Sequence, residues 1–127
     1  MQACSYYCFQ GAGLKAVAYL GVLEAWHAHF PRRYGVEWTD HVRTKVRGTC
    51  GSSAGAPVAL AICLNIHPAK VRAVMRPLLD NVRAILPHMD VSELWHNYGF
   101  GSGDAMLDML QGLLREGGLS PTITFAC

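Results

Sequence analysis

The 127-residue sequence has no apolar run long enough to cross a bilayer as a helix. Its longest, Ala56 to Ile66, is interrupted by Pro57 and Asn65 and falls short of about 18 residues. The first ten residues, MQACSYYCFQ, lack the basic start and the long apolar stretch of a secretory signal. The chain is therefore expected inside a cell. Charge is also scarce. Only 16% of residues are charged, and the net charge is +2. A balance this mild gives no reason to expect a nucleic-acid partner. The densest basic stretch, Arg43, Lys45 and Arg47, alternates with Thr44 and Val46 and reads as the solvated face of a strand. There are no repeats, low-complexity tracts or linkers.

Metal-ligand spacing is missing as well. Cysteines number five, an odd count that suits thiols in a reducing compartment better than a disulfide framework. Cys4 and Cys8 look like a pair. On a strand, however, residues four apart lie about 13 Å from each other, too far for one zinc ion to bridge. His67, His88 and His96 stand beside Pro68, Pro87 and Trp95 and read as surface or capping residues. No metal and no cofactor is expected.

What is present is apolar content, at 51% of residues. A chain of this size forms one domain and buries roughly two-thirds of its surface if it folds alone. Ser5 to Phe9 (SYYCF) reads as a strand and Gln10 to Gly13 as a tight turn. Leu14 to His29 reads as a helix, with Leu14, Val17, Ala18, Gly21, Val22, Ala25 and Trp26 at helical spacing and Pro31 ending it. Tyr34 to Arg43 fits neither period. Val46 to Gly51 reads as a second strand, followed by a helix from Ala54 to about Ile66. Pro57 is tolerated there, because first-turn N–H groups have no intrahelical partner.

A further helix starts after Pro68 and is expected to break or bend before Pro77 and before Pro87. Val91 to Tyr98 reads as a short helical piece and Gly99 to Gly103 as a loop. Asp104 to Arg115 is amphipathic, with Met106, Met109, Leu110, Leu113 and Leu114 on one side. Gly117 and Gly118 cap its end. Thr122 to Phe125 is β-prone. Trp26, Trp38 and Trp95 read as core or partly buried residues. Strands alternating with helices predict an α/β fold, with a largely parallel sheet and helices on both faces.

Two glycine motifs carry the chemistry. Gly11-Ala12-Gly13-Leu14-Lys15-Ala16 stands between a strand and a helix. Glycines let the backbone turn sharply and open its N–H groups, and the helix start adds partial positive charge. The product is an anion site, for a phosphate or for a transient oxyanion. The motif also fits the dinucleotide pattern G-x-G-x-x-G/A, with Glu37 downstream, but not a P-loop. Gly51-Ser52-Ser53-Ala54-Gly55 matches G-x-S-x-G, the turn that holds a nucleophilic serine at a sheet end. Together the motifs supply a nucleophile and a nest of donors at the C-terminal ends of neighbouring parallel strands.

With those residues the sequence resembles the patatin-like phospholipase family. Phe9-Gln10-Gly11-Ala12-Gly13-Leu14-Lys15-Ala16 is similar to its oxyanion motif G-G-G-x-[RK]-G, with Ala12 and Ala16 in place of two glycines. Ala18 to Ala25 (AYLGVLEA) is similar to the helix that follows. Gly51 to Ala56 (GSSAGA) resembles the family's G-T-S-A-G-A elbow, with Ser52 in place of threonine. Tyr98 to Gly103 and Thr122 to Phe125 come in the family's order, so the resemblance spans nearly the whole chain.

The resemblance implies a three-layer sandwich and a lipid acyl hydrolase with a Ser–Asp dyad. Ser53 would be the nucleophile, and Gly11, Ala12, Gly13 and Leu14 would line the oxyanion hole. Lys15, Gly51 and Gly55 would support the loops. Glycerolipid or phospholipid esters would be the substrates, with peripheral contact to membranes or lipid droplets.

One departure stands out. The family's base lies in a D-G-G or D-G-A segment after the Thr-Phe stretch, and no aspartate here has that context. Asp104 and Asp108 fall on a helix, Asp80 and Asp90 beside helix ends, and Asp40 in a polar loop. The chain thus reads as the N-terminal half of a patatin domain, awaiting a C-terminal half or a partner chain. Exposed apolar surface and marginal stability would follow. Two other readings stay open: a non-catalytic patatin-derived binding or structural module, and a dinucleotide-binding domain built on Gly11 to Ala16.

Overall fold

The structure is a computed structural model and describes residues 6–85 and 104–124. It opens on β1 (Tyr6–Phe9), where bulky aromatic residues suit a pleated surface. Side chains alternate as the strand period requires: Tyr7 and Phe9 turn inward, while Tyr6 and Cys8 are exposed. β1 pairs in parallel with β2 (Gly48–Gly51), in the register Tyr6↔Gly48, Tyr7↔Thr49, Cys8↔Cys50 and Phe9↔Gly51. A parallel pair needs a crossover. Here it is made by α1 (Val17–Tyr34) and α2 (Trp38–Lys45).

After β2 comes α3 (Ala56–Cys63), whose Val58, Ala59, Ala61 and Ile62 are buried. Thr49 Oγ1 donates to the Ala59 carbonyl at 2.9 Å and ties this helix to the strand. α4 (Pro68–Ile85) and α5 (Asp104–Glu116) pack against each other and close the core with Val71, Met75, Met109 and Leu113. Their approach is tight at Gly112, where a Cβ would stand 2.8 Å from Val74 Cγ1. Met109 fills the core as its spacing predicts, whereas Met106 is exposed.

The core continues under the crossover as a group of aromatic rings. Trp26 and Trp38 sit 4.9 Å apart between ring centroids, with Tyr7 and Phe30 at their edges. Trp38 is buried and Trp26 half-buried, as expected. Helices cover the Tyr7 and Phe9 face of the strand pair. On the opposite face Tyr6, Cys8 and Cys50 are exposed.

Several sequence expectations are corrected. Pro31 does not end α1, which runs on to Tyr34 and stops at Gly35, in the left-handed region at φ 69°. A proline in a last turn forfeits little beyond its own N–H bond. Gly35 caps the turn, donating its N–H to the Pro31 carbonyl. α4 likewise continues through Pro77 without a break. The helix expected from Leu14 begins instead with a 3-10 turn over Gly13–Ala16, and that expected from Ala54 with one over Ser53–Gly55.

Tyr34 to Arg43 resolves into the end of α1, the Gly35 cap and α2. Arg43 and Lys45 therefore lie on a helix, not a strand. Burial of Trp38, His41 and Val42, at helical spacing, decided the period there. Asp40 stands in the first turn of that helix rather than in a loop, and Asp80 lies inside α4. β2 starts at Gly48, two residues later than expected. Thr122 to Thr124 forms no strand. Thr122 and Ile123 instead turn back onto Ser120, through Thr122 N to Ser120 Oγ and Ile123 N to the Ser120 carbonyl. The readings for Cys4, Ser5, Pro87, His88, Asp90, Val91 to Tyr98, Gly99 to Gly103 and Phe125 lie outside the described residues.

Among the described residues, His41 is the buried polar residue of this core. Its ring lies 4.6 Å from Phe30, and its Nε2 is 3.3 Å from Tyr7 Oη. Burial pushes the imidazole below its ordinary range, and the Lys45 ammonium one turn on adds to the effect. An unfolded chain accepts a proton near pH 6.5, but the folded core resists it. Stability from this residue is therefore intact above about pH 6.5 and declines as the pH falls toward the lower folded value. The melting temperature should drop more on acidification to about pH 5.5 in the parent than in His41→Gln, followed by circular dichroism. Equal drops would contradict this.

Candidate functional site

Both strands end at the same level, because Phe9 is in register with Gly51. Each then passes into a tight turn, so the two glycine motifs meet at the C-terminal edge of the sheet. Ser52 joins them. Its N–H donates to the Phe9 carbonyl at 3.0 Å, and its Oγ accepts from the Gly11 N–H at 2.9 Å. Ser52 has no role of its own that the motif alone reveals. The available signal was that serine and the family's threonine both place a hydroxyl at this position.

Ser53 takes a backbone conformation that non-glycine residues seldom adopt, with φ at 47°. Such a residue costs on the order of 1–3 kcal/mol and persists only where its surroundings impose it. They do so here through two glycines. A Cβ on Gly51 would come within 2.3 Å of the Gly55 carbonyl oxygen, and one on Gly55 within 2.5 Å of the Phe9 carbonyl oxygen. Only bare backbone lets α3 start this close behind the strand ends. The Gly55 N–H donates to the Ser52 carbonyl at 2.9 Å and closes the turn. Ser53 is left exposed at the head of a helical run whose N-terminus favours negative charge.

The Gly11 loop stands directly beside this serine. A Cβ on Gly11 would lie 3.1 Å from Ser53 Cβ. Gly13, at φ 52°, turns the chain into α1. The first bond of that turn runs from Lys15 N to the Ala12 carbonyl. It leaves the N–H groups of Ala12, Gly13 and Leu14 ahead of it, as at any helix start. The Gly11 N–H is already engaged by Ser52. Lys15 is exposed, and among the described residues its side chain makes no ion pair. Tyr19, on the first turn of α1, donates its hydroxyl to the Gln10 carbonyl at 3.0 Å and anchors the loop. Sequence reasoning missed Tyr19, which reads there as one more residue of the helix.

Among the described residues no side chain hydrogen-bonds to Ser53 Oγ. Asp40 pairs with Arg43 at 2.9 Å and Asp80 with Arg76 at 3.7 Å. Asp104 and Asp108 lie on α5. His67 accepts a hydrogen bond from the Ala69 N–H at the start of α4, a capping role in line with its proline neighbour. Among the described residues no three His, Cys, Asp or Glu side chains are grouped to hold a metal ion. No described helix is long and apolar enough to cross a membrane.

The model of the family described as patatin-like phospholipase matches residues 7–126. No curated protein and no solved structure matches the chain.

Close contacts at the elbow set the cost of filling it. Gly55→Ala would drive a methyl into strand backbone and should destabilise the fold by about 2 kcal/mol or more. Gly21→Ala, in the middle of α1 with nothing within 4 Å of its Cβ, should instead stabilise by up to about 1 kcal/mol. Urea unfolding of the two variants checks the contrast, and similar midpoints would contradict it.

Proposed function

The chain belongs to the patatin-like phospholipase family, and on that premise we propose that it carries the nucleophile half of a lipid acyl hydrolase. The observation that carries this reading is Ser53, held at φ 47° on a glycine-flanked turn beside the Gly11 loop. Ser53 Oγ attacks the carbonyl carbon of a glycerolipid or phospholipid ester. The carbonyl oxygen becomes an oxyanion and takes hydrogen bonds from the N–H groups of Ala12, Gly13 and Leu14. Gly11 gives the loop its close approach to the serine. Collapse of the tetrahedral species expels the alcohol and leaves an acyl-serine, which water then hydrolyses. One such donor is typically worth on the order of 100- to 1,000-fold in rate.

Attack requires a base for the Ser53 proton. Following the family resemblance, we assign that role to an aspartate in a D-G-G or D-G-A segment, which this sequence lacks. The segment would come with the remainder of a three-layer sandwich, whether on a longer chain or on a partner. Lys15, exposed at the loop, would support the oxyanion motif or meet a lipid phosphate. The whole would work inside the cell, in peripheral contact with membranes or lipid droplets. A second reading, a non-catalytic module, draws on one observation: no described side chain is bonded to Ser53 Oγ.

The 127-residue chain should show little or no turnover of a fluorescent ester. A fluorophosphonate should label Ser53 slowly, faster at alkaline pH, and Ser53→Ala should abolish labelling. Rapid stoichiometric labelling near neutral pH would refute the missing base. No labelling of Ser53 even at alkaline pH would refute the nucleophile and favour the non-catalytic reading.

A further inference from the structure

Cys8 and Cys50 take no part in the chemistry above, yet the strand register sets them directly opposite each other. Both point to the face of the sheet that the described helices leave open, and both are exposed. Partners on neighbouring strands lie about 4.8 Å apart in the pairing direction. A disulfide accepts Cα separations of roughly 4.4–6.8 Å. Alternation sends both Cβ atoms to the same side of the sheet, where the two side chains stand next to each other.

We propose that Cys8 and Cys50 form a cross-strand dithiol that a small-molecule disulfide, such as glutathione disulfide, converts to an intrachain disulfide. The thiolate of one cysteine attacks the oxidant, expels one thiolate and leaves a mixed disulfide. The second cysteine attacks the protein sulfur of that bond and expels the other thiolate. Two protein thiols are oxidised, and one disulfide is reduced to two thiols. The new bond staples β1 to β2 one residue before Phe9 and Gly51, where the two site turns begin. Cys63, at the end of α3, is exposed and, among the described residues, has no cysteine opposite it. It can only stop at the mixed disulfide. The neighbouring Cys50 side chain, aided by partial desolvation, holds the Cys8 thiol above the ordinary range. Exchange therefore speeds up under alkaline conditions. None of this depends on hydrolytic activity.

A Cys4→Ser, Cys127→Ser variant, which keeps Cys8, Cys50 and Cys63, gives a clean test. It is treated with glutathione disulfide at mildly alkaline pH, free thiols are blocked, and tryptic peptides are mapped by mass spectrometry without reduction. The expected product links the Cys8 and Cys50 peptides and carries glutathione on Cys63. Adding Cys50→Ser should turn Cys8 into a second stable glutathione adduct. The inference is overturned if circular dichroism is unchanged and Cys8 and Cys50 stay free or separately glutathionylated. Linkage of either cysteine mainly to Cys63 overturns it as well.

Discussion

Everything at the candidate site depends on the parallel pairing of β1 with β2 in one register. Phe9 opposite Gly51 makes both strands end together, so the turns that follow emerge side by side. A slip by one residue would send Phe9 to the open face and Cys8 into the core, because side chains alternate. Burial of Phe9 and Tyr7 against the helices therefore fixes where Ser53 meets Gly11. Core packing and site geometry are set by the same contacts.

The strain at Ser53 fits into that frame. A positive φ on a serine is unfavourable by itself, yet the surrounding backbone leaves no relaxed alternative. Gly51 and Gly55 let α3 press against the strand ends. Ser52 spans the gap, with its N–H on Phe9 and its hydroxyl under Gly11. The result is a turn whose rigidity comes from backbone contacts rather than from long side chains. Backbone donors and an exposed hydroxyl beside them are what the proposed acyl transfer would use. The membership of the chain in the patatin-like phospholipase family supports that proposal.

Much of this was legible in the sequence, because the decisive signals are local. G-x-S-x-G and Gly11 to Ala16 announce tight turns, and the aromatic run before Gly11 announces a strand. The misreadings have physical causes. Pro31 and Pro77 read as helix ends, but Pro31 falls in a last turn that Gly35 caps, and packing of Met75, Leu78 and Leu79 carries α4 past Pro77. The basic alternation at Arg43, Lys45 and Arg47 imitates a strand, while the buried stripe of Trp38, His41 and Val42 decides for a helix. Thr122 to Thr124 has strand-forming residues, but its backbone groups are satisfied by Ser120. At the site, Ser52 acts through bonds to residues about forty positions earlier, and Tyr19 through a bond back to the Gln10 carbonyl, which no spacing rule reveals.

In the proposed reaction Ser53 and the amides of Ala12, Gly13 and Leu14 face one reacting centre. The most direct measurement is the amide NMR spectrum of the chain before and after a phosphonyl group is attached to Ser53. Its phosphoryl oxygen stands where the oxyanion would form. Large downfield shifts should be confined to the Ala12, Gly13 and Leu14 amides, together with the Ser53 turn. Shifts at the Ser53 turn alone, with the Gly11 to Leu14 loop unmoved, would contradict it.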